Sequence, residues 1–148
     1  MSALAGGVTI VTTRDAGGRP CGLTATAVCL VSQAPPLLLA CVGREADCHA
    51  AFLTADAFAV HVLREEQVGL SRRFAQKDHG KFAGLAHATG ALGVPLLPGA
   101  LAVVECRVVE RHPAGDHTIL IGRAEAWALS PDEGAGPLVY YRRAYHTL

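Results

Sequence analysis

The chain has 148 residues, a length typical of one domain, and we expect a single domain over residues 1–148. Its 13 basic and 13 acidic side chains balance, and no basic cluster is present that could follow phosphates, so nucleic-acid binding is not expected. Hydrophobic residues make up 51% of the chain, which suggests that part of its surface meets another subunit.

The first half of the chain contains mostly strand patterns and one helix pattern. Gly7 to Thr13 is rich in β-branched residues and ends at a glycine turn, which predicts a strand and a hairpin. Pro20 to Val31 returns as a second strand, and Leu37 to Val42 is a third. The alanine-rich segment Glu45 to Ala55 predicts a helix, and Phe58 to Leu63 predicts the next strand.

The second half contains one more helix, a long loop and three strands. Arg64 to Ala75 has apolar residues at helical spacing and predicts the helix. Gln76 to Gly99 is polar and then punctuated by Gly and Pro, which is typical of a loop that carries function. Ala100 to Val109 and Thr118 to Leu129 predict two strands around a turn, and Leu138 to Tyr141 predicts a short final strand.

Numerous strands, short turns and no βαβ alternation favour an antiparallel barrel with peripheral helices. The sequence lacks GxGxxG, GxxxxGK and GxSxG, so Rossmann binding, phosphoryl transfer and α/β-hydrolase chemistry lose support. His61 lies within a strand pattern, and we interpret it as a hydrogen-bonded strand histidine. The seven histidines are scattered, and no metal site is predicted.

The five cysteines are odd in number and form no CxxC pair, which is typical of free thiols in a reducing compartment. The N-terminus MSALAGGV lacks the features of a signal peptide, and the longest apolar stretch is broken by Pro35-Pro36. We therefore expect a cytoplasmic protein that does not bind a membrane.

The segment from Gly22 to Val28 places small side chains and two hydroxyls on one strand. Small residues allow a flat ring to approach the main chain, whose N–H and C=O groups can bind its polar edge. The same composition also fits a crowded barrel strand with no ligand. The residues alone leave both interpretations open.

At this segment the chain resembles a known family. GLTATAVCLVSQAPPLLLACV, together with GVTIVTT, FAVHVLREEQVGLSRRFA, PGALAVVECRV and GPLVYYRRAYH, is similar to the flavin reductase family. The resemblance is greatest to the small reductase components of two-component 4-hydroxyphenylacetate monooxygenases. It implies a mainly β fold: an antiparallel six-stranded split β-barrel with two or three peripheral helices, forming a homodimer.

The resemblance also implies an activity. The chain would transfer hydride from NADH (or NADPH) to FMN or FAD and supply diffusible reduced flavin to a partner monooxygenase. The flavin carries the difficult chemistry, so the protein mainly holds two rings in contact. Two alternatives remain open: a non-catalytic flavin- or haem-binding barrel, and a barrel recruited to another task without flavin.

Carried over by position, the resemblance implies a set of site residues. Those beside the isoalloxazine ring would be Thr24, Ala25, Thr26 and Ala27. Those along the ribityl chain and phosphate would be Cys41, Val42, Gly43, Arg44 and Asp47. Arg73 and Phe74 would close the far side, and Tyr145 and the catalytic candidate His146 would lie near the nicotinamide.

The segment Cys41 to Asp47 departs from the family pattern. Related proteins usually have Asn and Ser where this chain has Gly43 and Ala46, so two polar contacts to the flavin tail are missing. Arg44 directly precedes the predicted helix. We therefore expect Arg44 to bind the phosphate at a helix N-terminus.

Overall fold

Twelve β-strands and three short helical segments follow one another in the computed structural model, which describes residues 2–132 and 134–148. The strands are β1 (Gly6–Gly7), β2 (Thr9–Arg14), β3 (Pro20–Ala25), β4 (Val28–Gln33), β5 (Pro36–Gly43), β6 (Ala57–Val62), β7 (Ala88–Thr89), β8 (Pro95–Leu96), β9 (Ala102–Ala114), β10 (His117–Leu129), β11 (Val139–Tyr141) and β12 (Ala144–His146). The helices are α1 (His49–Thr54) and α2 (Val68–Phe74), the latter preceded by a 3-10 turn (Glu65–Gln67). The prediction of a mainly β chain is confirmed.

Seven strands form one antiparallel sheet in the order β3-β2-β6-β9-β10-β5-β4. The two edge strands, β3 and β4, are consecutive in the chain and are joined only by Thr26 and Ala27. The sheet must therefore curl to bring its two edges close together, and we call the gap between them the seam. The Cys41 amide donates to the Ala27 carbonyl at 2.9 Å, which continues the β4-β5 pairing up to the bend. No strand ladder joins β3 to β4 within the described ranges, so the barrel is open along the seam.

This seam explains the difference from the predicted six strands. The segment Pro20 to Val31, predicted as one strand, is divided at Thr26-Ala27 because the chain bends there from one edge of the sheet to the other. The strands themselves follow the expected alternation. On β5, Leu38, Ala40 and Val42 enter the core while the residues between them face outward.

Both predicted helices are shorter than expected. The predicted helix from Glu45 begins only at His49. The preceding backbone makes other bonds, because the Arg44 amide donates to the Asp116 carbonyl and the Ala46 amide to the Gly43 carbonyl. The second predicted helix starts as a 3-10 turn, and α2 proper covers only seven residues. No helix among the described residues has the length and apolar character required to cross a bilayer.

The C-terminal region differs from the prediction by one strand. After β11 the chain turns at Arg142-Arg143 and returns as β12, which the sequence pattern did not indicate. The strands β1, β11 and β12 form a separate three-stranded sheet. Tyr140 and Tyr145 from this sheet pack on a second buried cluster that also contains Phe74 of α2. This small sheet therefore brings the C-terminus to the seam of the barrel. The predicted loop Gln76 to Gly99 also contains the short pair β7-β8.

Candidate functional site

Two adjoining clefts open over the seam of the barrel. The inner cleft, of about 310 Å³, is lined by Leu23, Thr24, Ala25, Thr26, Ala27, Cys41, Gly43, Ala46, Asp47, Phe74, Ala75, Gln76, Lys77, Lys81 and His117. The outer cleft, of about 690 Å³, is lined by Val8, Thr24, Thr26, Ser71, Arg72, Ala75, Tyr140, Arg143, Ala144 and Tyr145. The clefts share Thr24, Thr26 and Ala75, so one ligand in each would meet at these three residues.

The wall of the inner cleft is the free edge of β3. Among the residues that the structure describes, this strand pairs with β2 alone, so its other row of N–H and C=O groups faces the cleft. Gly22 allows α2 to pack on this strand, since a Cβ at Gly22 would lie 2.8 Å from the Val11 carbonyl oxygen and 3.2 Å from the Phe74 ring. An unpaired sheet edge beside small side chains suits a flat ligand with a polar rim.

A chain of hydrogen bonds fixes the junction of the two clefts. The Thr24 hydroxyl donates to the Ser71 carbonyl at 2.6 Å, and the Ser71 and Tyr145 hydroxyls are 2.9 Å apart. Ser71 is fully buried, so its position is rigid. The Arg72 guanidinium lies 5.6 Å from the centre of the Tyr145 ring. These contacts connect β3, α2 and β12 at the boundary between the clefts.

A buried ion pair lies at one end of the inner cleft. Lys81 is only 5% exposed, and its ammonium donates to the Asp47 carboxylate at 2.8 Å and to the Gly22 carbonyl at 3.1 Å. Phe82 packs edge-on against Phe74, with ring centres 5.1 Å apart. Lys81 and Phe82 together fasten the loop after α2 over the cleft. Sequence reasoning missed Lys81, because its partners lie 34 and 59 residues away and no pattern connects them.

The same end of the cleft carries further positive or protonatable groups. Lys77 is exposed and lies 3.3 Å from the Glu45 carboxylate. His117 bonds Asp116 at 2.7 Å, and this hydrogen bond lowers the pKa of the Asp116 carboxyl. This imidazole lies beside Gly43, where a Cβ would be in ordinary van der Waals contact with its Nε2 at 3.7 Å. Lys77, Lys81 and His117 each have a carboxylate partner, and their remaining N–H groups can donate to an anionic ligand.

Nine of the predicted site residues line the two clefts. Thr24, Ala25, Thr26, Ala27, Cys41, Gly43, Asp47 and Phe74 converge on the inner cleft, and Tyr145 lines the outer one. Burial raises the pKa of Cys41, so at neutral pH it is a neutral thiol and not a nucleophile. Gln76, Lys77, Lys81 and His117 are cleft residues that the sequence did not indicate.

Four predicted site residues lie away from the cleft walls. Val42 is fully buried in the core, and Arg44 is exposed. The expectation that Arg44 stands at a helix N-terminus is wrong, because α1 begins five residues later. The Arg73 guanidinium binds the Ala83 carbonyl. His146 is exposed, and its Nε2 lies 3.2 Å from the Tyr141 carbonyl oxygen.

A third groove, of about 490 Å³, lies beside Glu105 and Trp127 on the other side of the barrel. Its lining is mostly apolar, and its carboxylate is occupied by the Ala91 and Leu92 amides at 3.1 and 2.8 Å. None of the predicted site residues lines it. The inner and outer clefts are therefore the candidate site.

The arrangement of the inner cleft fits a flavin. Alanines and the free edge of β3 leave a flat space with main-chain hydrogen-bonding groups, which matches an isoalloxazine ring. The basic side chains at the end of the cleft can donate hydrogen bonds to a phosphate at the end of the flavin tail. The outer cleft has two tyrosines and two arginines, and it gives a second ligand access to the exposed face of the first.

Comparison with known proteins supports this interpretation. The model of the flavin reductase-like domain family matches residues 1–148. An actinorhodin polyketide dimerase of Streptomyces coelicolor is 45% identical, over 100% of this chain and 82% of that protein. An NADH flavin reductase of Kitasatospora aureofaciens is 44% identical, over 98% of this chain and 76% of that protein. The reductase subunit of a flavin-dependent monooxygenase of Rhodococcus jostii is 38% identical, over 94% of this chain and 70% of that protein.

A solved structure with the same fold contains NAD and FAD fragments. The NADH:FAD oxidoreductase of Streptomyces globisporus, in complex with NAD and FAD fragments, superposes with a TM-score of 0.90. Its sequence is 31% identical, and the match covers 99% of this chain and 87% of that one. On the full-length match and these identities, the chain belongs to the flavin reductase-like domain family.

Proposed function

We propose that the chain is an NAD(P)H:flavin oxidoreductase that takes FMN or FAD in the inner cleft and the nicotinamide in the outer cleft. One observation carries this proposal: the two clefts meet at Thr24, Thr26 and Ala75. A ring bound along the edge of β3 would expose one face to the outer cleft. Bound flavin supplies the hydride acceptor, and the protein supplies alignment.

The residues around the inner cleft have distinct tasks in this proposal. Thr24 to Ala27 give the flat wall, and Phe74 closes the opposite side. Lys77 and His117 bind the phosphate, in place of Arg44, which lies outside the cleft. Lys81 and Asp47 hold the loop after α2 in position and limit the entry of water at that end.

In this proposal the nicotinamide ring contacts Tyr145. Its hydroxyl is fixed by Ser71 and its ring by Arg72, so it offers a rigid surface in the outer cleft. His146 points elsewhere and bonds Tyr141. We therefore assign the contact with the nicotinamide to Tyr145 and not to His146.

A direct assay tests the proposed activity. The purified chain should oxidise NADH only when FMN, FAD or riboflavin is added, as followed by loss of NADH absorbance. Flavin binding without NADH oxidation would instead favour a non-catalytic flavin carrier. Absence of both binding and oxidation at micromolar flavin would favour a barrel with another task.

Release of reduced flavin to a monooxygenase follows from the open site. The inner cleft holds its ligand mainly through small side chains and main-chain groups, and both clefts open to solvent. Such a site can release its product readily. A monooxygenase separated from this chain by a dialysis membrane should therefore still receive reduced flavin when oxygen is limited.

A homodimer would complete the site. The outward residues of three neighbouring strands form an apolar patch, in which Cys29, Leu39 and Ile121 are aligned in one row. Cys41 and Ile119 form the next row, and Cys41 also lines the inner cleft. A second copy seated on this patch would therefore reach the flavin. Burial of such a contiguous apolar face is typical of homodimer interfaces.

Ile121→Arg should convert the dimer to a monomer and weaken flavin binding at the same time. The charged side chain would be buried at the centre of the patch without a partner. Analytical ultracentrifugation and a flavin titration measure the two effects. Trp127→Arg is the matched control, because Trp127 is 68% exposed and lies outside the patch. A dimer that survives Ile121→Arg and dissociates with Trp127→Arg would place the interface elsewhere.

A further inference from the structure

The turn between β11 and β12 has an unusual composition. Its two residues, Arg142 and Arg143, have φ angles of 48° and 65°, so both lie in the left-handed region. Hairpin turns with this backbone normally contain Gly, Asn or Asp, because a larger side chain clashes with its own backbone there. Strain of this kind is usually retained where the side chains serve a function.

The two arginines point to different places. Arg142 lies against the Tyr141 ring, 5.3 Å from its centre. Arg143 lines the outer cleft, as does Arg72. The part of the cleft lining that the structure describes contains these two arginines and no acidic side chain. Among the described residues, neither Arg72 nor Arg143 forms an ion pair with a carboxylate.

The two guanidinium groups therefore add positive charge to the outer cleft, and no carboxylate in residues 2–132 and 134–148 is paired with either of them. Arg72 is partly held by its contact with Tyr145. Arg143 is exposed, and the two-residue turn between β11 and β12 sets the point from which its side chain extends. A guanidinium group binds phosphate oxygens through paired hydrogen bonds. The outer cleft is thus built to receive an anion.

We propose that Arg72 and Arg143 bind the pyrophosphate of the nicotinamide dinucleotide, an inference that rests on the proposed function. The nicotinamide would lie at the junction beside Tyr145, and the pyrophosphate would lie further out between the two arginines. The phosphate of the flavin has a separate cationic region around Lys77 and His117 in the inner cleft. Each ligand therefore has its own anion site, and the two bind in a fixed relative direction.

Glycine at the two turn positions provides a matched pair of variants. Arg143→Gly removes the charge from the cleft and relieves the backbone strain. Arg142→Gly relieves the same kind of strain without changing the cleft. Both variants should unfold at a higher temperature than the unmodified chain. Only Arg143→Gly should raise the KM for NADH, by about tenfold or more, since charged hydrogen bonds of this kind contribute that much to binding.

Two further ligands distinguish binding of the pyrophosphate from alignment of the nicotinamide with the flavin ring. N-benzyl-dihydronicotinamide carries no phosphate, and its oxidation with FMN should be equally fast in Arg143→Gly and the unmodified chain. ADP-ribose has the pyrophosphate but no nicotinamide. Its calorimetric affinity for the flavin-free chain should fall about tenfold in Arg143→Gly and in Arg72→Ala, and should stay unchanged in Arg142→Gly.

Several results would overturn the inference. One is an unchanged ADP-ribose affinity in Arg143→Gly, and another is an equal loss of activity with NADH and with the benzyl compound. A higher KM for FAD with an unchanged KM for NADH would assign the arginines to the flavin instead. If the unmodified chain oxidises neither donor with any flavin, the proposed function fails, and this inference fails with it.

Discussion

Ala75→Trp is expected to reduce NADH-dependent flavin reduction by about 100-fold or more. Ala75 lies at the end of α2, is exposed, and lines both clefts where they meet. An indole there would occupy the space in which the two rings must touch. Because hydride transfer depends on close contact between the rings, even a small displacement carries a large kinetic cost.

The measurement is kcat/KM for NADH at saturating FMN, together with the thermal unfolding midpoint. Ala16→Trp is the matched control, since Ala16 is exposed in the turn after β2 and lines neither cleft. Both variants should keep the unfolding midpoint, and only Ala75→Trp should lose activity. Full activity in Ala75→Trp would show that the rings meet somewhere else.

The sequence pattern predicts most of the sheet because each strand has one face toward the core. On β5, for example, the alternation of inward and outward residues can be read directly from Leu37 to Val42. The break at Thr26-Ala27 could not be predicted in this way. It arises because the curled sheet brings its edges together, and this long-range closure leaves no local signal among small residues.

The helix prediction failed at Glu45 for a related reason. Alanine-rich composition gives high helix propensity, yet propensity is weak against specific tertiary contacts. Here Arg44 bonds the hairpin between β9 and β10, and Asp47 pairs with Lys81. Both contacts come from distant parts of the chain. They hold residues 44–48 in turns and delay the helix to His49.

The resemblance names residues on one wall of the candidate cleft but not the basic residues that also line it. Thr24 to Ala27, which the resemblance places beside the ring, line the inner cleft. The groups that give the cleft its charge, Lys77, Lys81 and His117, come from a loop and a hairpin. Their side chains reach the cleft only because the loop and the hairpin pack over the seam. Spacing along the chain does not predict this packing.

His61 connects the barrel to the loop before β9, and it should make stability depend on pH. The residue is fully buried in β6. Its Nδ1 donates to the Ile10 carbonyl at 3.1 Å, and its Nε2 accepts from the Leu97 amide at 3.0 Å. This pairing requires the neutral ring, because a protonated Nε2 would face another donor. Burial lowers the pKa of His61 from 6.5 to about 4.

The pH range of the effect follows from these two pKa values. Above pH 6.5 the ring is neutral in the folded and unfolded chain, so it contributes no pH dependence. Between pH 6.5 and about 4 only the unfolded chain takes up the proton, and the free energy of unfolding should fall by up to about 1.4 kcal/mol per pH unit. The total loss should be about 3 kcal/mol, and below pH 4 it should level off.

Urea unfolding at several pH values between 7 and 4 measures this loss, with His61→Gln as the reference chain. Glutamine offers a donor group and an acceptor but does not titrate. The carboxylates are common to both chains, so their contributions to the pH dependence cancel when the two stability curves are compared. As the pH falls, the free energy of unfolding should decrease more in the unmodified chain than in the variant, because only the unmodified chain takes up a proton at residue 61 when it unfolds. Proton NMR gives an independent check if the variant folds poorly, because the His61 ring should titrate near pH 4. Parallel stability curves, or a His61 ring that titrates near 6.5, would mean that its buried contacts with Ile10 and Leu97 do not hold it neutral.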